Sequence, residues 1–188
     1  MESDRHGFVL GEGAGVLVLE RTVDALRRGA RSRAILAGCG STDDALHATA
    51  PYPEHLVAEV ALRAALAEAG ATPGDVDHVN AHGTSTRLND VTEAAMVARV
   101  FPHAPTVTSA KGALGHSFGA SAAVEAALTV LTLQHQLAPP TANLEAIAPD
   151  IELNVVAGTA RTQRIDLAVS NAFGFGGHNA VLVFRRLA

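Results

Sequence analysis

The sequence is poor in the residues that mark several common classes of protein. Its 188 residues include one cysteine, Cys39, which excludes an intramolecular disulfide framework and indicates a reducing compartment. Basic residues never run beyond two in a row, so no cluster of cations is available for a phosphate backbone. No apolar run approaches the ~18 residues of a membrane span, and the amino terminus lacks the apolar core of a signal peptide. We therefore expect a cytoplasmic protein that neither binds nucleic acid nor spans a membrane.

The residues that are present favour an α/β fold. Aromatic residues make up only 4%, whereas hydrophobic residues reach 48% and glycine occurs 17 times, which suits helices packed closely on a sheet. Apolar runs and helical periodicity predict strands over 16–19 (extended by 9–10), 34–37, 76–80, 106–108, 151–156, 167–170 and 181–184, and helices over 22–28, 54–69, 90–101 and 119–136. Alternating strands and helices predict a largely parallel sheet covered on both faces.

Two familiar kinds of ligand site are not expected. The glycine-rich segment 11–15 precedes a β-type run rather than a helix, so it lacks the helix N-terminus that binds nucleotide phosphates. Nine histidines are present, but none forms an H-x-H pair or sits four residues from another histidine with an intervening glutamate, and the lone cysteine has no partner. We predict no metal and favour close packing for the glycines.

Three loops at predicted strand ends carry the informative residues. They are 82–86, 111–116 and 171–179, and they follow the strands at 76–80, 106–108 and 167–170. The carboxyl ends of parallel strands meet at one edge of a sheet, where ligands bind. Two histidines among glycines and small residues in such loops favour a chemical site at that edge.

These loops resemble the β-ketoacyl synthases, the condensing enzymes of the thiolase superfamily. The carrying segments read HGTSTRLND at 82–90, KGALGH at 111–116 and NAFGFGG at 171–177, with further similarity at 4–20 and 41–47. The resemblance spans the chain and implies the carboxy-terminal half of a thiolase-like α/β fold. It implies that residues 1–30 end the amino-terminal half and that 31–188 form the carboxy-terminal domain.

The resemblance also implies a reaction and its residues. These enzymes decarboxylate malonyl–acyl carrier protein and condense the carbanion with an acyl thioester; HGTST followed by LND resembles the fatty acid branch. His82 and His116 would be neutral donors to the developing oxyanion. Lys111 would organise the site, Glu125 would pair with it, and Asp90 matches a further acidic position. The sequence around 90–93 also predicts a helix capping box, with Asp90 as the N-cap and Glu93 reaching back.

The substrate entrance is implied in the same way. Thr84 and Thr86 resemble the hydroxyls that hold the phosphopantetheine arm of the carrier protein, which brings the substrates, so no separate cofactor is expected. His47 and Thr49 are assigned to the same entrance. Phe175 matches the gatekeeping phenylalanine of a glycine-flanked loop, and Phe173 is assigned to core packing.

One part of the machinery is absent from this sequence. The family's cysteine nucleophile belongs to an amino-terminal half, and Cys39 is predicted at a strand end with no helix N-terminus to lower its pKa. We expect the partner half to cover apolar surface, and the complete enzyme to be a homodimer that binds acyl carrier protein. The alternatives are an inactive carrier-binding or dimerisation module and a polyketide ketosynthase fragment. A thiolase is excluded, because the second cysteine of that family is missing.

Overall fold

The computed structural model of the chain describes residues 1–187, which form a five-stranded mixed sheet with helices on both faces. The helices are α1 (Thr22–Arg27), α2 (Leu56–Glu68), α3 (Arg87–Val100), α4 (Lys111–Leu114) and α5 (Ser121–His135). The strands are β1 (Ile35–Asp43), β2 (His78–Asn80), β3 (Thr106–Thr108), β4 (Leu137–Ala138), β5 (Arg161–Thr162), β6 (Leu167–Phe173) and β7 (His178–Arg185). Short 3-10 helices cover Pro53–His55, Pro73–Asp75, Phe118–Ala120 and Phe175–Gly177.

The sheet runs in the order β1-β7-β6-β2-β3, with β4 and β5 paired separately. Strand β2 lies between β3 and β6 and is parallel to both, whereas β7 is antiparallel to its neighbours β1 and β6. The reversal follows from the connection, because only four residues, 174–177, join β6 to β7 and a parallel crossover needs a dozen or more. The predicted α/β class is confirmed, with one antiparallel strand inside the sheet.

Two hydrophobic clusters fill the two faces of this sheet. Neighbouring residues on a strand point to opposite faces, and accordingly Val169 packs in one cluster while Ala168 packs in the other. Helices α2 and α3 contribute to the first cluster and α5 to the second. Helix α2 lies very close to β1, since a Cβ on Gly40 would come within 2.0 Å of the Ala61 carbonyl oxygen.

Several predicted elements are confirmed within a few residues. Strand β3 has the predicted bounds, α1 and α2 lie within their predicted ranges, and Gly70 follows α2 with a φ of +61°. Strands β6 and β7 continue into the segment 171–179 that was predicted as a loop, and β1 extends to Asp43, beyond the strand predicted over 34–37. The predicted helix over 119–136 is divided into a 3-10 turn and α5.

The strand predicted over 16–19 is wrong. Val16 and Val18 are 89% and 90% exposed, and the segment has no strand partner among the described residues. Instead it lies over α5, where a Cβ on Gly15 would come within 2.8 Å of the Val124 nitrogen. Leu17 alone packs on the second cluster. An apolar run forms a strand only beside a second strand that supplies hydrogen bonds, and here α5 is its neighbour.

Two further local predictions are also wrong. The segment 151–156 makes a single parallel bridge, Val107 to Val155, rather than a strand. Asp90 is not the N-cap of α3, because that helix begins at Arg87 with Thr86 as its N-cap. No helix among residues 1–187 is long and apolar enough to cross a membrane. The predicted boundary at residue 30 stays a prediction.

Candidate active site

The three predicted loops meet at one edge of the sheet and line a cleft of about 720 Å³. His82 follows β2, His116 follows α4, and Phe175 lies in the turn between β6 and β7. The ring centroids of His82 and His116 are 5.6 Å apart and their planes are nearly perpendicular. Strands β2, β3 and β6 are parallel, so their carboxyl ends deliver these loops to the same place.

The loop that carries His82 is held by a buried carboxylate on α3. The backbone N–H groups of His82 and Gly83 each donate to an oxygen of Glu93 at 2.8 Å. Gly83 has a φ of +44°, and a Cβ there would come within 2.7 Å of Ser109. The turn is therefore fixed by one acidic side chain and by the close approach that glycine allows.

Lys111 connects this loop to α5. Its ammonium group donates to Glu125 Oε1 at 2.5 Å and to the His82 carbonyl oxygen at 2.6 Å, and it lies 3.5 Å from His82 Nδ1. Both side chains are almost fully buried, with 4% of Lys111 and 3% of Glu125 exposed. The ammonium group can only donate, so Nδ1 of His82 is an acceptor and the proton of the neutral ring lies on Nε2.

The same tautomer follows for His116 from a different contact. The backbone N–H of Phe118 donates to His116 Nδ1 at 3.2 Å, and the Ser121 hydroxyl lies 3.0 Å from the same atom. A backbone amide cannot accept, so Nδ1 carries the lone pair and Nε2 the proton. Phe118 stacks on the ring at a centroid distance of 4.8 Å, and Phe8 contacts its edge at 5.1 Å.

Burial and neighbouring cations keep both rings neutral. Burial, followed by the charge of Lys111, holds the pKa of His82 well below its ordinary value, and a proton on His116 would lower it further. Burial and Lys111 lower the pKa of His116 in the same direction. Burial also raises the pKa of Glu125, although the nearby ammonium of Lys111 opposes this. At neutral pH the cleft therefore contains two neutral histidines, each with an Nε2–H donor that its Nδ1 contacts leave free.

Most of the residues assigned to the substrate entrance line this cleft. Thr49, Thr84, Thr86 and Phe175 all contribute to its wall, and the hydroxyl oxygens of Thr84 and Thr86 lie 2.8 Å apart. Phe175 is 60% exposed, as a side chain at the mouth of a cleft would be. Phe173 packs on the first core cluster and also lines the cleft, so its assignment to packing alone was incomplete.

Lys111 belongs to the site through its contacts with His82 but does not itself line the cleft, and two further predicted residues lie away from it. Asp90 is fully buried, contacts the amino group of Met1 and accepts from the Ser85 N–H at 3.1 Å, but it does not line the cleft. His47 is exposed, and its Nδ1 accepts the N–H groups of Thr49 and Ala50 at 3.1 and 3.0 Å. Asp90 thus braces the loop after Thr84, whereas His47 shapes the turn that brings Thr49 to the cleft.

Sequence reasoning missed the role of Glu93 and the residues around it. Glu93 is fully buried and also accepts from the Asn171 side chain at 3.1 Å, which links the first loop to the third. The spacing of Glu93 from Asp90 was the available signal. It was interpreted as a helix capping box, whereas Glu93 in fact binds the His82 loop. Glu125 Oε2 and Asn171 Oδ1 are buried without a hydrogen-bond partner among residues 1–187.

Cys39 is not part of this cleft. It lies in the middle of β1 rather than at the predicted strand end, is exposed, and its backbone N–H donates to Glu68 Oε2 at 2.6 Å. Glu68 raises the pKa of the Cys39 thiol, which disfavours the thiolate. Among the residues that the structure describes, no group of three or more histidine, cysteine, aspartate or glutamate side chains is arranged to hold a metal ion.

Solved structures place this fold among the ketosynthases. The chain superposes over 100% of its length on "The ishigamide ketosynthase/chain length factor", with a TM-score of 0.95 and 39% identity, and covers 46% of that chain. It also superposes on a type II polyketide ketosynthase solved with its acyl-carrier protein. This match has a TM-score of 0.95 and 31% identity, and covers 100% of this chain and 47% of the other. The fold is therefore thiolase-like, as the motifs implied.

The sequence identifies the family within that class. A profile described as "Beta-ketoacyl synthase, C-terminal domain" matches residues 33–145, and the chain belongs to this family. It is 45% identical over 186 residues to 3-oxoacyl-[acyl-carrier-protein] synthase 2 of Mycobacterium tuberculosis, which covers 98% of this chain. The chain spans about half the length of the curated relatives that it matches, 45% in this case.

Proposed function

We propose that this chain carries the decarboxylation machinery of a 3-oxoacyl–acyl carrier protein synthase of fatty acid biosynthesis. The observation that carries the proposal is the pair of neutral histidines, His82 and His116, whose Nδ1 atoms are engaged and whose Nε2–H groups are free in one cleft. The name of the Mycobacterium tuberculosis relative supports the reaction and its carrier-bound substrates. The substrates arrive on phosphopantetheine, and the reaction below needs no other cofactor.

In the proposed first step, the bond between the malonyl carboxylate and the methylene carbon breaks. Carbon dioxide leaves, and the electron pair of that bond forms an enolate whose negative charge lies on the thioester oxygen. The Nε2–H groups of His82 and His116 donate to this oxygen and are in place before the charge develops, which stabilises the transition state. Because both rings are neutral, each has a proton to donate while its other nitrogen accepts.

Lys111 would act as a positioning residue in this step. Its ammonium group holds the His82 carbonyl oxygen and approaches Nδ1 of the same ring, so it fixes both the loop and the tautomer. Glu125 keeps Lys111 in that place and compensates its charge in a buried setting. The pair thus acts on the reaction through the orientation of His82.

In the second step, the enolate carbon forms a bond to the carbonyl carbon of an acyl group held as a cysteine thioester, and the cysteine thiolate leaves. We propose that this cysteine is supplied by a complementary half, because Cys39 lies outside the cleft and its thiol pKa is raised. The chain alone would then be inactive in condensation. The enolate would instead take a proton from water and yield an acetyl thioester.

The entrance is assigned to the carrier's phosphopantetheine arm. Thr84 and Thr86 present a linked pair of hydroxyls in the cleft that Thr49 also lines, and Phe175 lies at the mouth between Gly174 and Gly176. We propose that acyl carrier protein docks here, that the complete enzyme is a homodimer, and that it works in the reducing cytoplasm. The role of Phe175 is to admit or exclude the acyl chain.

Reconstitution with an amino-terminal half tests this function. The purified chain is mixed with the amino-terminal half of the Mycobacterium tuberculosis relative, together with malonyl– and acyl–carrier protein, and β-ketoacyl product is measured by mass spectrometry. Product is expected only from the mixture, and it should disappear when the cysteine nucleophile of the added half is changed to alanine. Product from the 188-residue chain alone would overturn the assignment of the nucleophile.

A second candidate is a non-catalytic subunit that binds a carrier protein. It is favoured by the similarity to structures of a ketosynthase with a chain length factor. A third candidate, a polyketide ketosynthase fragment, is favoured by the similarity to the type II polyketide ketosynthase. The three candidates differ in the reconstituted mixture. Carrier binding without product from any supplied acyl thioester would favour the binding module, whereas polyketide-type acyl specificity would favour the polyketide fragment.

A further inference from the structure

His55 lies in the wall of the cleft and takes no part in the steps above. It stands immediately before α2 with φ and ψ of 53° and 33°, a left-handed conformation that costs a residue with a side chain ~1 kcal/mol or more. Its residue is 1% exposed, and among residues 1–187 neither ring nitrogen makes a hydrogen bond of good geometry, although the side chain of Asn89 interacts with the ring. The fold accepts both strain and desolvation here, a combination that is concentrated at functional sites.

The ring of His55 is the first of three that lead to the reaction site. It packs on the ring of Phe173 at a centroid distance of 4.7 Å with the planes 35° apart. Phe173 in turn contacts the ring of His82 at 5.6 Å and 60°. His55 therefore packs behind Phe173, and Phe173 packs against one side of the His82 ring.

Burial keeps the ring of His55 neutral. Burial has the largest effect and lowers its pKa below the ordinary value, whereas the carboxylates of Glu93 and Asp44 and the side chain of Asn89 act in the opposite direction. A positive charge on His55 would disfavour protonation of His82, as Lys111 and His116 also do. The ring of His55 is thus buried and carries no charge at neutral pH.

We propose that His55 is a positioning residue whose buried ring holds Phe173 against His82 and so keeps His82 dry and correctly oriented. It acts through Phe173 and does not touch the reacting atoms. The importance of His82 rests on the proposed function, whereas the packing of the three rings does not depend on it.

Two substitutions separate the ring of His55 from its backbone. His55→Gly removes the ring and accepts the left-handed backbone, whereas His55→Phe keeps a flat ring and removes the nitrogens. The titration of His82 is followed by NMR in the purified chain labelled at histidine, with the signal assigned from its loss in His82→Gln. The midpoint should stay well below 6.5 in the parent and in His55→Phe, and rise towards 6.5 in His55→Gly as water reaches the ring.

An unchanged midpoint in His55→Gly would overturn the proposal, and so would an equal rise in His55→Phe. If His55→Gly lacks a cooperative thermal transition, His55→Leu replaces it, since leucine fills the volume without a flat face. A smaller rise is then expected, and no rise in folded protein would again overturn the proposal.

Malonyl decarboxylation gives a second readout. His55→Gly should lower kcat about tenfold with KM little changed, while His55→Phe should restore kcat; a change in KM alone would contradict a positioning role. If the parent chain shows no decarboxylation, the proposed function fails, but the His82 titration still decides the role of His55.

Discussion

Replacing Lys111 with methionine removes the cation from an almost completely buried ion pair. Methionine fills much of the same volume, so the main effect is that Glu125 loses its partner while 3% of its side chain is exposed. Removing one member of a buried pair costs about 3–5 kcal/mol, because an uncompensated charge stays in a medium of low dielectric. The His82 carbonyl oxygen also loses its donor. We expect a loss within that range in the free energy of unfolding measured in urea at pH 7.

The pH dependence and a double variant sharpen this test. In Lys111→Met the pKa of Glu125 should rise further, so the variant is more stable below the ordinary pKa near 4.5 and loses stability as pH rises through the raised value. Lys111→Met with Glu125→Leu should recover much of the loss. Arg63→Met is the control, since its pair with Glu59 is half exposed and is worth about 0.5 kcal/mol. A cost below about 1 kcal/mol, with simple additivity in the double variant, would refute the reasoning.

Three further predictions concern packing, pH and substrate binding. Gly40→Ala should cost about 3 kcal/mol or more in urea unfolding because its Cβ would meet the Ala61 carbonyl oxygen, whereas Gly13→Ala, with no atom within 4 Å, should be nearly neutral. Burial lowers the pKa of His78 to about 4. The free energy of unfolding should therefore fall by up to about 3 kcal/mol from this residue as pH drops from 6.5 towards 4. A urea midpoint that does not change between about pH 7 and 4.5 would contradict this prediction. Thr86→Val should raise KM for malonyl pantetheine in decarboxylation up to about tenfold with kcat unchanged, and an unchanged KM would remove Thr86 from the entrance.

Local sequence patterns predicted much of the fold because the elements concerned are defined by nearby residues. Helix α2 buries Ala58, Ala61, Leu62 and Ala65 at helical spacing, and Gly70 supplies the left-handed residue after it. The three loops could likewise be assigned to one edge, since each follows a short strand of the sheet. Their convergence depends on strand direction, which the alternation of strands and helices predicted correctly for β2, β3 and β6.

The features that were missed depend on contacts between distant residues. The exposed run at 16–19 has the composition of a strand, and only the position of α5 shows that no strand lies beside it. Glu93 contacts His82 and Asn171, which are 11 and 78 residues away along the chain. Spacing alone suggested a bond within its own helix, because a local partner is visible in sequence and a remote one is not.

The positions of Asp90 and His55 also could not be predicted from the sequence. Asp90 was assigned to the site by resemblance, but it lies behind the loop and braces Ser85. His55 was read as part of a helix, yet its left-handed backbone turns its ring towards Phe173. Neither placement follows from residue type, since both depend on how the chain enters a helix.

The central claim is that His82 and His116 stabilise an enolate formed by decarboxylation, and carbon dioxide release tests it most directly. The purified chain is incubated with carboxyl-labelled malonyl–carrier protein, and the released label is compared among the parent, His116→Ala and His135→Ala, whose histidine is exposed and outside the cleft. We predict release by the parent and by His135→Ala, and a loss of about 10²–10³-fold in His116→Ala, the usual effect of removing one oxyanion donor. Equal release from His116→Ala and the parent would contradict the account.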